Sequence, residues 1–336
     1  MNIRKHLKIL HPFVGLKQMI QCTSQKIIIP FYHTVSNEKL PHIDHLYTKR
    51  NVKQFEEDLE YLCKHYSPID IEELYKIKEE DTTVVKPVFH ITFDDGLSEI
   101  HSIIAAVLER KGIPASFFLN TDFLDNKGLF YRYKISLIID HLVAKPDFTP
   151  KLVEILRPGL HSKFDLKKTL LNLKYEDTPI IDQVAQLLEI DFNEYLKNTK
   201  PYLSSVQVRD LLKRGFNIGS HSSSHPFLKH LDEKMRKDQI SESFTFLKNN
   251  FGVTQKYFSF PFSDDGIDKA FFRWMYTEEK CLLSFGISGL KNDFPRYHVH
   301  RIPFEISNQK ASDIIKSEYL YYLIKMLFGK NTILRT

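Results

Sequence analysis

The sequence predicts an α/β fold, a parallel sheet wrapped by helices and interrupted by a helical insertion, and three observations carry that reading. Short β-rich runs such as Val88 to Phe93 and Ala115 to Leu119 alternate with amphipathic helical stretches. Strand, helix and strand joined by tight turns form a right-handed crossover, the unit of a parallel sheet. From about Asp125 to Lys200 the pattern turns helical and lysine-rich, with Ile135, Leu137, Ile138 and Leu142 in one apolar run and Val184, Leu187 and Leu188 in another.

The elements follow in order. Met1 to Ile20 is basic through Arg4, Lys5, Lys8 and Lys17, but His6, His11, Pro12 and Lys17 interrupt its apolar residues, so no signal-peptide core forms. Ile27 to His33 is an opening strand, and Phe55, Leu59, Leu62 and Tyr66 mark a helical face after it. Val88 to Phe93 is a buried strand that ends at Asp94, Asp95 and the turn-forming Gly96. Ser98 to Lys111 is an amphipathic helix stopped by Gly112 and Pro114, leading into the strand Ala115 to Leu119. Beyond the insertion, Ser204 and Gln207 make a capping box, Val206 to Lys213 is helical, and Gly215 ends it before the short strand Phe216 to Ser220. Phe258, Phe260 and Phe262 alternate as in a half-buried strand, and Asp264-Asp265-Gly266 reads as a loop without a histidine partner. Tyr319 to Phe328 is apolar but too short to span a bilayer; it packs as a final core helix or rests on a membrane surface with the basic N-terminus.

Composition narrows the function classes. The chain has 336 residues, 42% hydrophobic and 26% charged, which suits an ordinary globular protein with a substantial core. Its formal net charge of +5 is small and dispersed, which argues against a nucleic-acid partner. Cys22, Cys63 and Cys281 are odd in number and outside any Cys-x-x-Cys, so they read as free thiols of a reducing compartment, and the protein as cytoplasmic.

The chemistry concentrates in Thr92-Phe93-Asp94-Asp95-Gly96 and His221-Ser222-Ser223-Ser224-His225-Pro226. Carboxylates at a strand's C-terminal end lie where α/β folds hold their chemistry. Neighbouring strand residues face opposite ways, so both aspartates converge on one site only if the strand breaks there, as Gly96 permits. One can then bind a metal while the other stays free as a base. Two histidines four residues apart can meet the same cation, and an Asp/His/His set leaves zinc a fourth position for water. Pro226 disfavours helical geometry at His225, so the pair belongs on a tight loop.

These motifs resemble the polysaccharide deacetylases, the carbohydrate esterase family four or NodB-homology domain, in residue type, order and spacing. The resemblance implies a distorted (β/α) barrel with a helical insertion and a metal-dependent removal of acetyl groups from N-acetylated sugars. It implies Asp94 as base and Asp95, His221 and His225 as ligands of zinc or another divalent ion. Ser259-Phe260-Pro261-Phe262 matches a third motif, which gives the Phe262 backbone N–H an oxyanion role and Pro261 a place at the substrate; Ser259 stands where that motif usually has arginine. A late-strand histidine acts as general acid in the family, and His298 and His300 in Arg296-Tyr297-His298-Val299-His300-Arg301 are the candidates. Alternation puts both on one strand face and Arg301 on the other, and does not choose between them. Tyr32-His33 is similar to a Tyr-His pair near the first strand of related deacetylases, so His33, like Arg301, borders the site as a substrate contact.

The resulting division is an N-terminal extension (1–26), a catalytic domain (27–310) with an insertion at about 125–200, and a C-terminal helix (311–336). An insertion at the strand ends borders the site as a lid or substrate wall. The expected partner is an N-acetylated glycan or glycan precursor. O-deacetylation, hydrolysis of another C–N bond, or glycan binding without catalysis are the alternatives.

Overall fold

The computed structural model describes residues 7–11, 14–145, 152, 155–156, 165–305 and 308–336. In chain order the strands are β1 (Ile27–Ile28), β2 (Pro30–Tyr32), β3 (Ser67–Pro68), β4 (Val88–Phe89), β5 (Ile91–Phe93), β6 (Ala115–Leu119), β7 (Asn217–Ser220), β8 (Tyr257–Ser259), β9 (Leu283–Gly286), β10 (Asn292–Asp293), β11 (His298–His300), β12 (Ile302–Pro303) and β13 (Thr332–Ile333). The principal sheet runs β11-β9-β8-β7-β6-β5-β2-β12, and all its neighbours are parallel. Its two edge strands are separated in sequence by Arg301 alone. One bent segment therefore pairs with β9 on one side and β2 on the other, and nearly closes the sheet into a barrel.

Two runs that read as continuous strands each serve two sheets. Ile27 to Tyr32 splits into β1 and β2, and Val88 to Phe93 into β4 and β5; β1 and β4 join β3 in a small parallel sheet below the barrel. The second break falls at His90, whose buried ring bonds the Ile69 carbonyl at 2.9 Å and the Ser116 hydroxyl at 2.8 Å. Period-2 patterning alone does not reveal such a change of partner.

The pleat divides each strand between barrel interior and helical shell. Phe93 and Phe117 pack outward with Phe55 of the helix Val52–His65. Phe118 and Phe285 pack with tilted rings in a cluster with Val299. Gly219 lies beside Phe118, and a Cβ there would sit 2.5 Å from the Phe118 ring and 2.8 Å from the Tyr257 carbonyl oxygen, so the strand register requires glycine.

The helices follow their patterns with one irregularity. The stretch expected as a helix after the first motif is a π-turn, Ile100–Ile104, continuing into Ala105–Lys111, and it ends at Gly112 with φ 63°. Ser204 caps Ser205–Lys213 by accepting from the Gln207 N–H, in a closed capping box. The insertion supplies Tyr131–Ala144, Leu166–Leu171, Thr178–Leu187 and Phe192–Thr199. Ile138, Leu170, Ile181, Val184 and Leu196 give these helices a core of their own. Ala311–Leu327 buries Ile315, Tyr319 and Tyr322, packing on Leu16–Thr23 and Val52–His65. Among the described residues no helix is long and apolar enough to cross a membrane.

Candidate active site

The first motif ends β5 as its sequence demands. Asp94 still bonds in strand fashion, its N–H to the Tyr32 carbonyl at 2.9 Å, whereas Asp95 and Gly96 turn to φ 69° and 67°. The turn is tight: a Cβ on Gly96 would lie 3.0 Å from Leu119, and only glycine takes this conformation without cost. The break swings both carboxylates toward one cavity at the C-terminal strand ends. The second motif follows β7, with Ser222 and His225 at φ 69° and 57°. The Ser222 hydroxyl accepts from the His225 N–H at 3.1 Å, so the loop is held by its own side chain.

Asp95 Oδ1 lies 3.3 Å from His225 Nε2 and 3.5 Å from His221 Nε2. Ligands about 2.1 Å from a tetrahedral ion are separated by about 3.4 Å; the two distances from Asp95 match that spacing, and ligand atoms of all three residues lie within 4.8 Å of one another. All three residues are buried, and among the described residues Asp95 Oδ1 has no hydrogen-bond partner. Such an oxygen is costly unless a cation meets it. His221 Nδ1 donates to the Ser259 carbonyl at 2.8 Å, which directs the Nε2 lone pair at the cluster. The other Asp95 oxygen accepts from the Tyr133 hydroxyl at 2.6 Å. Burial pushes the Asp95 carboxyl up, but His225, His33 and His221 outweigh it and hold the group ionised. Burial also lowers His221 to about 4, leaving its imidazole neutral and able to bind metal. The residues present fit a divalent cation.

Asp94 sits beside this set in a different role. Arg301 grips both its oxygens, Nη1 to Oδ1 at 2.8 Å and Nη2 to Oδ2 at 2.7 Å. The guanidinium also donates to Ser259 Oγ at 2.7 Å and Thr92 Oγ1 at 3.2 Å, and lies 4.4 Å over the Phe31 ring. Burial raises the Asp94 carboxyl, yet Arg301 and then His221 bring it below its ordinary value. Arginine was expected at position 259. The structure instead delivers a guanidinium from the bend between β11 and β12, and the small Ser259 leaves room for it and bonds it. Arg301 reaches Asp94 from inside the barrel.

That inward direction fixes the opposite one for its neighbours. His298 and His300, the sequence candidates for an acid at the site, point out of the barrel and do not line the cavity. His298 packs on Phe260 and Phe272, its Nε2 is 3.2 Å from Asp264 Oδ2 and its Nδ1 is 2.7 Å from Ser284 Oγ. His300 Nε2 bonds Asp293 Oδ2 at 2.9 Å. Arg335 binds both carboxylates of this second cluster, so a cation of the chain already sits between them and offsets one of their two charges. Asp264, read as having no histidine partner, has one after all. The partner comes from a strand more than thirty residues on, beyond the reach of local pattern.

His33, by contrast, faces the site. It lines the same cavity of about 250 Å³ as Asp94, Asp95, His221, His225 and Arg301. Its Nδ1 bonds Glu305 at 2.6 Å, its backbone N–H bonds the same carboxylate at 2.7 Å, and its ring stacks on Tyr47 at 4.4 Å. Burial opposes the charged form, but Glu305, with Asp95 and Asp94 behind it, raises His33 to about 9. The Glu305 carboxylate thus favours the protonated ring.

Phe262 forms the opposite rim, with φ 58°, 36% exposed, its ring 4.7 Å from His225. Among the described residues nothing accepts its N–H. Pro261 is buried between Phe260 and Phe262, which line the cavity, and does not line it itself. Tyr133, Phe130 and Arg132 come from the start of the insertion, Tyr47 from an early loop and Glu305 from the end of β12. None belongs to a motif, so only their convergence in space marks them.

The sequence matches the family model for polysaccharide deacetylases over residues 81–273, more than half of the chain, and the protein belongs to that family of hydrolases. The barrel is similar to Streptococcus pyogenes deacetylase PplD, solved with acetate, at TM-score 0.56 and 12% identity over 87% of this chain and 98% of that one. It is similar to IcaB from Ammonifex degensii at TM-score 0.53 and 12% identity, covering 88% and 97% of the two chains. A de-N-acetylase from Aggregatibacter actinomycetemcomitans matches at TM-score 0.54 and 14% identity, covering 87% and 99%. At these identities the likeness is one of fold. No curated protein matches the sequence.

Proposed function

We propose that the protein is a metal-dependent de-N-acetylase of a glycan or glycan precursor, with Asp95, His221 and His225 as metal ligands. One observation carries the reading: a buried Asp/His/His set with an unpartnered carboxylate oxygen shares a cavity with an arginine-held aspartate and a charged histidine. Held by Asp95, His221 and His225, zinc or another divalent metal would supply the Lewis acidity that activates water near neutral pH. Asp94, kept ionised and oriented by Arg301, takes the proton of the attacking water. The Phe262 N–H points a donor at the oxyanion that develops on the acetyl oxygen. An amide nitrogen cannot leave as an anion, and His33, protonated and fixed through Nδ1 by Glu305, delivers its proton from Nε2. Acetate and a free amino sugar result.

His33 replaces His298 and His300 as acid on the strength of position: a proton donor must reach the leaving nitrogen, and the other two face the helical shell. The need for a proton on nitrogen also favours the amide over an ester, whose alkoxide departs more readily. We propose residues 27–310 as the catalytic unit, and its insertion as a substrate wall, since Phe130 and Tyr133 meet the cavity. Unpaired Cys22, Cys63 and Cys281 support a cytoplasmic setting.

The test compares wild type with Asp94→Asn for bound metal and for acetate released from N- and O-acetylated oligosaccharides. Equal metal contents with release from N-acetyl substrates by the wild type alone are expected. Metal binding with no release from any acetylated glycan would point to a binding protein, and preferential release from O-acetyl sugars would make it an esterase.

A further inference from the structure

We propose that the substrate carries an anionic group, a carboxylate or a phosphate, on the acetylated sugar or on the residue joined to it, and that Arg132 binds it. The inference rests on the deacetylase reading above and goes further by giving its substrate a charge. Arg132 lines the catalytic cavity together with the metal-site residues. Among the described residues no carboxylate pairs with it; its one hydrogen bond is from Nη1 to the Leu171 carbonyl, at 2.5 Å. The other arginine of the cavity, Arg301, is fully committed to Asp94, Ser259 and Thr92.

A structural role accounts for part of this cation only: Nη1 meets the last carbonyl of the helix Leu166–Leu171, and among the described residues the other donors have no partner. Arg132 stands in the first turn of the helix Tyr131–Ala144, whose first turn holds no acidic residue and whose cap residue Phe130 offers no side-chain acceptor. Positive charge is unfavourable at that end of a helix. Partial burial is a further cost, and it lowers the affinity of the guanidinium for its proton. A single bond to a carbonyl uses one of five N–H donors, and a glutamine would make it equally well. The remaining donors, in a planar fork, match a carboxylate or phosphate. A cavity of about 250 Å³ holds little more than one sugar, so the anion lies within one residue of the acetyl group.

The experiment measures kcat/KM for acetate release by the whole chain, metal-loaded, on three panels: neutral N-acetylglucosamine oligomers, oligomers alternating N-acetylglucosamine with a uronate, and N-acetylglucosamine 1-phosphate. Binding of each is measured in parallel with the Asp94→Asn protein by calorimetry. A charged panel should exceed the neutral one by about ten- to a hundredfold, the worth of a charge-assisted bond. Arg132→Gln should cut that ratio to within about threefold of unity, whereas Arg132→Lys should keep part of it and the exposed control Lys200→Gln all of it. Preference for the uronate identifies a carboxylate, and preference for the phosphate a phosphoryl group. Equal turnover and equal affinity for charged and neutral sugars would overturn the proposal. If no panel releases acetate, the deacetylase reading fails, and the calorimetry still decides whether Arg132 selects an anion.

Discussion

Arg301 gives the sharpest test of how this site works, because its guanidinium is buried, bidentate and irreplaceable by solvent. Arg301 is fully buried and Asp94 is 2% exposed, and their bonds measure 2.8 and 2.7 Å. Arg301→Met leaves the carboxylate without its partner, which costs about 3–5 kcal/mol for a broken buried pair. The carboxyl has an alternative that caps this cost: it takes up a proton. Burial alone raises the Asp94 pKa and Arg301 is the largest influence opposing it, so removing the arginine moves the group upward. A protonated Asp94 cannot take a proton from water, and the loss of a general base is worth about 10²–10⁴ in kcat. The variant should therefore keep its metal, lose activity by that factor and show its acid limb at higher pH. A pH profile of kcat/KM, metal analysis and urea unfolding on the same samples read all three. Arg301→Ser combined with Ser259→Arg restores a guanidinium from β8, where the Ser259 hydroxyl now lies 2.7 Å from Arg301 Nη2, and should recover part of the rate. Activity of Arg301→Met within about threefold of wild type, with the acid limb unmoved, would refute the reasoning.

Three further outcomes are expected. His33→Asn should lower kcat by about 10²–10³ with metal retained, whereas His298→Asn should change kcat by less than about threefold and show its effect in stability; steady-state kinetics on both variants separates the two assignments. Tyr133→Phe removes the 2.6 Å bond to Asp95 and should weaken metal binding about ten- to a hundredfold, as read by competition with a chromogenic chelator. Acid should destabilise the barrel through His90, which burial lowers to about 4 from 6.5. Its folded pKa lies below the unfolded one, so its stabilisation is intact above pH 6.5 and falls away toward pH 4, by about 3 kcal/mol. His42, His221 and His298 are lowered by burial into the same window, so His90→Gln should reduce that slope without abolishing it in urea titrations at successive pH values, and an unchanged slope would discount His90.

The sequence by itself determined the parts that depend on neighbours in the chain. The break at Asp94-Asp95-Gly96, the spacing of His221 and His225, the capping box at Ser204 and the helical character of the insertion are all local, and each was legible as a pattern. Alternation along His298, Val299, His300 and Arg301 held the right relation as well, with the histidines on one face and the arginine on the other. What a period of two lacks is the sign: it says that the faces differ, not which one is inside. Barrel closure supplied it, because β11 and β12 pair with opposite ends of the sheet and leave Arg301 pointing at Asp94. The same closure decided that a serine could stand at 259, that Glu305 would charge His33, and that Tyr133 would hold Asp95. Each of these is a contact between segments from about 40 to 270 residues apart, made by side chains whose local sequence resembles any other.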